Sequence, residues 1–220
     1  MTSSMQNLKP LFLSTLIAVA LMLQCGRADA GPRESLIVAG GCFWCVEADF
    51  EKVPGVIEAV SGYTGGKTKN PTYKQVTRGG TGHYEAVKIT FDAGRVSREK
   101  LLHLFFRSID PTDAGGQFCD RGKSYRTAIF VSNNAEKALA TKAKATAQAA
   151  LGKKVVTPIL GTKTFYPAEA YHQDYYKGSK IIVTRAGPKK QSKAYKFYRK
   201  SCGRDARVKQ LWGNAAAFSG

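Results

Sequence analysis

Cys42 is the residue in this 220-residue sequence best placed to do chemistry. It follows Gly41 and opens the run Cys42-Phe43-Trp44-Cys45-Val46-Glu47, after which apolar residues continue at helical spacing to Phe50. A cysteine at a helix start meets free backbone N–H groups and the positive end of the helix dipole, which stabilise thiolate and lower a pKa that is ordinarily about 8.5. Thiolate is the reactive form, so disulfide exchange or another nucleophilic attack is the chemistry this position suits. Cys45 lies three residues on, on the same helix face, as in other Cys-x-x-Cys redox pairs. The purely structural alternative for Cys42 is a bridge to a distant cysteine. Phe43 and Trp44 can wall an apolar pocket around a small group such as a methyl, or simply pack in the core.

The elements that must position these residues are legible as hydrophobic patterns. Ser35-Leu36-Ile37-Val38-Ala39 reads as a buried strand ending at Gly40-Gly41, and the helix from Phe43 follows it. Val56 to Val60 reads as a second strand, and the alternation from Tyr84 to Phe91 as a third, half-buried one. Leu101, Leu104, Phe105 and Ile109 mark a helix that Ser97 caps and Pro111 ends. A strand at Thr127 to Val131 leads into a helix from Asn134 to Leu151, with Asn133 as N-cap and Gly152 as stop. Val155 to Leu160 reads as an edge strand because Pro158 interrupts it. This order predicts an α+β fold, a ferredoxin-like two-layer α/β sandwich with a mainly antiparallel sheet and an irregular C-terminal extension. Gly65 to Thr81, Asp110 to Arg126 and everything after Gly161 are expected to be irregular, and such loops on a rigid scaffold are where binding groups gather.

Residues 1–30 read as a secretory signal peptide: Lys9 precedes an apolar run from Leu11 to Leu23, and Ala28-Asp29-Ala30 is a small-x-small cleavage site. The apolar run is short for a membrane span. The expected mature chain, 31–220, is one domain with a core at about 35–180 and a basic tail at about 181–220. It is expected to be exported to the periplasm. Losing Lys9, Arg27 and Asp29 takes the net charge from +18 to +17. Much of this charge lies between Lys177 and Lys209, interleaved with Tyr195, Phe197 and Tyr198, a stripe that suits a solvated face or attraction to anionic surfaces. No nucleic-acid partner is expected, and membrane contact only through this tail. Cys42, Cys45, Cys119 and Cys202 remain after cleavage, and an oxidising compartment makes two structural disulfides the simplest reading of their count. Only one pair has zinc-like spacing, so no metal and no organic cofactor are expected.

The run Gly41-Cys42-Phe43-Trp44, with Glu47, resembles the signature of the A-type peptide methionine sulfoxide reductases, the family specific for the S-epimer. The resemblance continues in order through Asn70-Pro71-Thr72-Tyr73, Thr81-Gly82-His83-Tyr84-Glu85 and Gln117-Phe118-Cys119-Asp120-Arg121-Gly122. Ser124-Tyr125-Arg126, Phe165-Tyr166-Pro167-Ala168-Glu169 and Tyr171-His172-Gln173-Asp174-Tyr175 complete it, so that it spans roughly Ile37 to Tyr176. It implies Cys42 as nucleophile and Glu85 as the acid that protonates the sulfoxide oxygen, a task that wants a carboxyl pKa raised toward neutrality. Tyr73 and Tyr125 match the hydroxyls that bind this oxygen, Asp120 the carboxylate that orders the site, and Phe43 and Trp44 the holders of the methyl group. His172 is assigned no catalytic step, and Tyr166 and Asp174 no role.

After attack, Cys42 carries a sulfenic acid that a second thiol must resolve before an external dithiol regenerates the enzyme. The resemblance points to Cys202 as this resolving thiol, on a flexible glycine-bearing tail, ahead of Cys45 and Cys119. The expected partners are methionine sulfoxide, oxidised proteins, and thioredoxin or a thioredoxin-like reductant. The rival activity is general thiol–disulfide exchange at Cys42 and Cys45, which leaves Tyr73, Glu85, Asp120 and Tyr125 without a role. A non-enzymatic basic binding module stapled by two disulfides is the remaining alternative. Met1, Met5 and Met22 all lie in the leader, so the expected mature chain contains no methionine to be oxidised.

Overall fold

The computed structural model describes residues 31–219, so the signal-peptide expectation for residues 1–30 lies outside the described residues. From Pro32 onward the chain is one compact unit built on a six-stranded sheet. Its strands are β1 (Arg33–Gly40), β2 (Val56–Thr64), β3 (Tyr84–Asp92), β6 (Thr127–Val131), β7 (Ile159–Gly161) and β8 (Tyr166–Pro167), in the spatial order β7-β6-β1-β3-β2-β8. All neighbours pair antiparallel except β6 with β7. The four longer strands thus run β6-β1-β3-β2, an order compatible with the expected split β-α-β unit.

Alternation along β1 explains the layers. Leu36 and Val38 point to the main core, where helices α1 (Phe43–Phe50), α3 (Arg98–Phe106) and α4 (Asn134–Leu151) contribute Val46, Phe50, Leu101, Phe105, Ala140 and Ala147. Ile37 and Ala39 point the other way, into a smaller cluster with Tyr84, Ala86, Ala128 and Phe130. The expected caps form: Ser97 Oγ accepts from the Lys100 N–H at 3.2 Å, and Asn133 Oδ1 from the Glu136 N–H at 2.9 Å. Gly152 ends α4 at φ 60°.

Four segments differ from expectation, the first being Asp110 to Arg126, which holds a short hairpin, β4 (Gly116–Gln117) with β5 (Asp120–Arg121). The strand expected over Val155 to Leu160 is confined to Ile159–Gly161, at the sheet edge, because proline cannot donate to a ladder. The loop from Gly65 to Thr81 contains a short helix, α2 (Tyr73–Arg78), entered through a Thr72–Gln75 capping box. The C-terminal extension is not irregular: it forms a hairpin, β9 (Ile181–Thr184) with β10 (Gly187–Lys190), and helices α5 (Gln191–Ser201) and α6 (Arg204–Trp212). It docks through Ala194, Tyr195 and Tyr198 of α5 against Cys45, Ala48 and Tyr175, through Val208, Leu211 and Trp212 of α6 against the main core, and through buried polar contacts. The buried Arg204 guanidinium donates to Gly40 O at 3.2 Å and Ser108 O at 3.0 Å, and Trp212 Nε1 donates to Ile109 O at 3.2 Å. Arg199 clamps buried Asp49 at 2.8 Å, Asp205, and the Phe218 carbonyl. No helix among the described residues is long and apolar enough to cross a membrane.

Candidate active site

The turn from β1 into α1 places the nucleophile. Gly41 sits at φ 83°, and a Cβ there would lie 2.5 Å from Gln117 Cβ, so glycine is required both for the turn and for the close approach of the Gln117 segment. Cys42 is then the N-cap of α1, partly exposed at the floor of a cavity of about 520 Å³. Phe43, Trp44, Tyr73, Glu85, Asp120 and Tyr125 line the same cavity, so the residues expected to act together are brought together from α1, α2, β3 and the segment 120–125.

Two expectations about protons fare differently. Glu85 is buried at the start of β3, and burial pushes its carboxyl up to about 8, reinforced by the negative charge of Asp120 and opposed by the hydrogen bond from Phe43 N–H to Oε2 at 3.1 Å. It therefore holds a proton at neutral pH, as an acid must. The expectation that the helix start favours a Cys42 thiolate is corrected: the Cys42 thiol is pushed up, first by its hydrogen bond with Cys45, then by burial and by the carboxylates of Glu85 and Asp120. The helix-start N–H of Phe43 that would have met the anion is spent on Glu85. Cys45 is shifted down, by the hydrogen bond from Cys42 and then by the positive charges of Arg204 and Arg199, against its burial. Burial raises Tyr73 and Tyr125, which stay protonated as donors. It also raises Asp120, against the pull of Arg204.

The aromatic wall is held by residues to which the sequence alone assigned little. Trp44 Nε1 donates to His172 Nδ1 at 3.1 Å, and its indole stacks on Tyr175 with ring centres 3.7 Å apart. Burial lowers His172 to about 4, so the imidazole is neutral and can accept. Phe43 lies 5.1 Å from the His172 ring and 6.3 Å from that of Tyr73. Glu169 accepts from the Tyr73 backbone N–H at 2.9 Å and the Tyr63 hydroxyl at 2.8 Å, fixing the start of α2 against β2. Glu47, buried on α1, accepts from the Ser61 hydroxyl and from Asp174 N–H at 2.5 Å, and burial pushes it up to about 7. The only signal for Glu169 and Glu47 was their place inside the blocks noted above, because their partners lie as far as 106 and 127 residues away.

The cysteines divide differently from expectation. Cys202, expected as a free thiol on an irregular tail, ends helix α5 and is disulfide-bonded to Cys119, with Cα atoms 4.9 Å apart. Cys119 occupies the two-residue turn between β4 (Gly116–Gln117) and β5 (Asp120–Arg121). Among the described residues Cys42 and Cys45 are the free thiols, and the four described cysteines all border the cavity.

This architecture is shared with known proteins. A family model described as peptide methionine sulfoxide reductase matches residues 34–214. A peptide methionine sulfoxide reductase MsrA 2 of Rhizobium meliloti is 47% identical over 189 residues, covering 86% of this chain and 88% of that protein. Its namesake from Caulobacter vibrioides is 47% identical over 198 residues, covering 89% and 94%. Among solved structures, Mxr1 from Saccharomyces cerevisiae in reduced form superposes with a TM-score of 0.64 at 30% identity, covering 69% of this chain and 88% of that one. Methionine sulfoxide reductase A of Corynebacterium diphtheriae gives 0.60 at 27% identity, covering 75% and 85%. A family match across nearly all the described residues, joined to this constellation of thiol, acid and hydroxyls, means that the chain belongs to the peptide methionine sulfoxide reductase family.

Proposed function

We propose that this enzyme reduces methionine S-sulfoxide, free or in proteins, to methionine with Cys42 as nucleophile. The observation that carries this reading is the meeting of Cys42 with a protonated Glu85 and two tyrosine hydroxyls in one cavity. A sulfoxide sulfur becomes readily attackable once its oxygen is protonated or strongly hydrogen-bonded. Tyr73 and Tyr125 hold the oxygen, Glu85 supplies the proton, Asp120 orders the site, and Phe43 and Trp44 enclose the methyl group. The Cys42 sulfur attacks, the S–O electron pair stays on the methionine sulfur, and the oxygen ends on Cys42 as sulfenic acid. Cys45 is the free thiol nearest in the chain, one helical turn on, with its N–H donating to the Cys42 carbonyl at 3.1 Å, and it borders the same cavity. It takes the first resolving step in place of Cys202: its sulfur bonds Cys42, and water leaves.

The external dithiol is thioredoxin or a thioredoxin-like protein, in keeping with a disulfide end product. We place the mature chain, starting at Gly31, in the periplasm, on the strength of the leader's pattern alone. N-terminal sequencing of the periplasmic form checks this, and an intact leader there refutes it. The activity is tested by turnover of S- and R-epimer methionine sulfoxide peptides with dithiothreitol. S-selective reduction that Cys42→Ser abolishes is the expected result. Disulfide exchange without sulfoxide turnover would establish the rival reading.

A further inference from the structure

We propose that the β9–β10 hairpin is a membrane-docking element that seats the enzyme on a bilayer rich in anionic lipid. Side chains alternate across β9, and the alternation divides the strand between two environments. Ile182 lines the catalytic cavity and packs against the cluster that holds Cys45, Tyr175 and Tyr195. Ile181 and Val183 point the opposite way and are 65% and 85% exposed. Their partners in the ladder, Lys190 and Pro188, are exposed as well. Four large apolar side chains are exposed among the described residues, and a third of these, Tyr171, adjoins the hairpin: its carbonyl accepts from Gln191 Nε2, just after β10, at 3.3 Å. Exposed apolar residues ordinarily scatter singly, so their gathering at one outward element marks a contact site.

The charge around this face selects the partner. No Asp or Glu lies between Asp174 and Asp205, a span that holds ten Lys and Arg. Lys180, Lys190, Lys193 and Lys196 are exposed, and the ion pairs of this region use Lys177 and Arg199 instead. A second copy of so basic a chain is repelled, and lysine is depleted at protein interfaces. At a lipid surface the same residues are favourable. Lys stems lie along apolar surface while their ammonium groups reach the phosphates, and apolar side chains enter the boundary with the acyl chains. Binding strength follows the sum of inserted apolar area and attraction to anionic headgroups, and the hairpin supplies both. Because Ile182 and Arg185 line the cavity, docking holds the active site within one hairpin's thickness of the bilayer, beside oxidised segments of membrane-associated proteins.

Vesicle sedimentation tests this independently of the sulfoxide chemistry. The chain from Gly31 onward is mixed with vesicles of phosphatidylcholine alone, or of phosphatidylcholine with phosphatidylglycerol, at about 0.15 M salt. Wild type is expected to pellet with the anionic vesicles and to stay in solution with the neutral ones. Ile181→Thr/Val183→Thr keeps β-branched residues in the hairpin and should lower partitioning by at least about tenfold. Lys190→Gln/Lys193→Gln should lower it by about fivefold for each charge removed. Both variants change exposed side chains, so their circular dichroism should match wild type. No pelleting of wild type with anionic vesicles, or equal pelleting of wild type and Ile181→Thr/Val183→Thr, overturns the proposal. Retention on immobilised polyglutamate in place of vesicles overturns it in favour of an acidic protein partner.

Discussion

Replacing Glu85 by glutamine separates the two consequences of a buried acid, because it should cripple catalysis while stabilising the fold. Glu85 ionises near 4.5 in the unfolded chain and at about 8 in the folded one. Its folded pKa is raised, so the stabilising side of this shift lies at low pH, and native stability falls as pH rises from 4.5 to 8. At about 1.4 kcal/mol per pH unit, the native state loses about 3 kcal/mol between pH 5 and pH 8 for this one group. Glutamine has no such proton to lose, and its carbonyl can still accept from Phe43 N–H. Denaturant unfolding of wild type and Glu85→Gln at both pH values reads the difference: the variant should gain about 3 kcal/mol on wild type across this interval. In the same samples, single-turnover formation of methionine should fall by about 10²–10⁴-fold, the usual contribution of a positioned acid. Parallel stability–pH curves for the two proteins would refute the buried-proton reasoning, and a rate within tenfold of wild type would remove Glu85 as the acid.

Three further substitutions probe the frame of the site. Gly41→Ala places a Cβ against Gln117 at a left-handed φ and should cost about 2–4 kcal/mol by thermal or denaturant unfolding, with activity falling as Cys42 moves. Glu169→Gln weakens the acceptor that fixes Tyr73. It should reduce kcat/KM on S-epimer peptides by about tenfold, as expected for loss of a charge-assisted hydrogen bond of about 1.4 kcal/mol, and leave thiol alkylation rates little changed. Arg199→Leu strips buried Asp49 of its partner and should cost about 3 kcal/mol at pH 8. The loss should shrink as pH falls, because burial raises the Asp49 carboxyl and favours its neutral form once the cation is gone; a loss independent of pH would discount the ion pair.

Local signals carried much of the fold into the sequence. The caps at Ser97 and Asn133, the stop at Gly152 and the alternation through Tyr84–Phe91 are decided by residues within a few positions of one another, and each appears in the structure. The C-terminal helices were missed because Lys and Arg crowd around their sparse apolar faces, Ala194-Tyr195-Tyr198 and Val208-Leu211-Trp212, and because Arg199 and Arg204 do part of the docking, onto Asp49, Gly40 and Ser108. The same limit applied inside the site. Motif order was enough to nominate Cys42, Glu85, Tyr73, Asp120 and Tyr125. The protonation of Cys42 depended instead on where the Phe43 N–H points, on the Cys45 thiol and on two carboxylates from other segments. Cysteine pairing was likewise set by a turn and a helix end 83 residues apart.

The Cys119–Cys202 bond also ties the chain's stability to its supply of reductant. Closing a loop of 83 residues removes denatured-state freedom worth about 4–5 kcal/mol in the chain-entropy model, a sizeable part of what holds a domain folded. The chain is therefore sturdier with this bond closed, and a reductant strong enough to open it takes that stability away, whatever happens at Cys42.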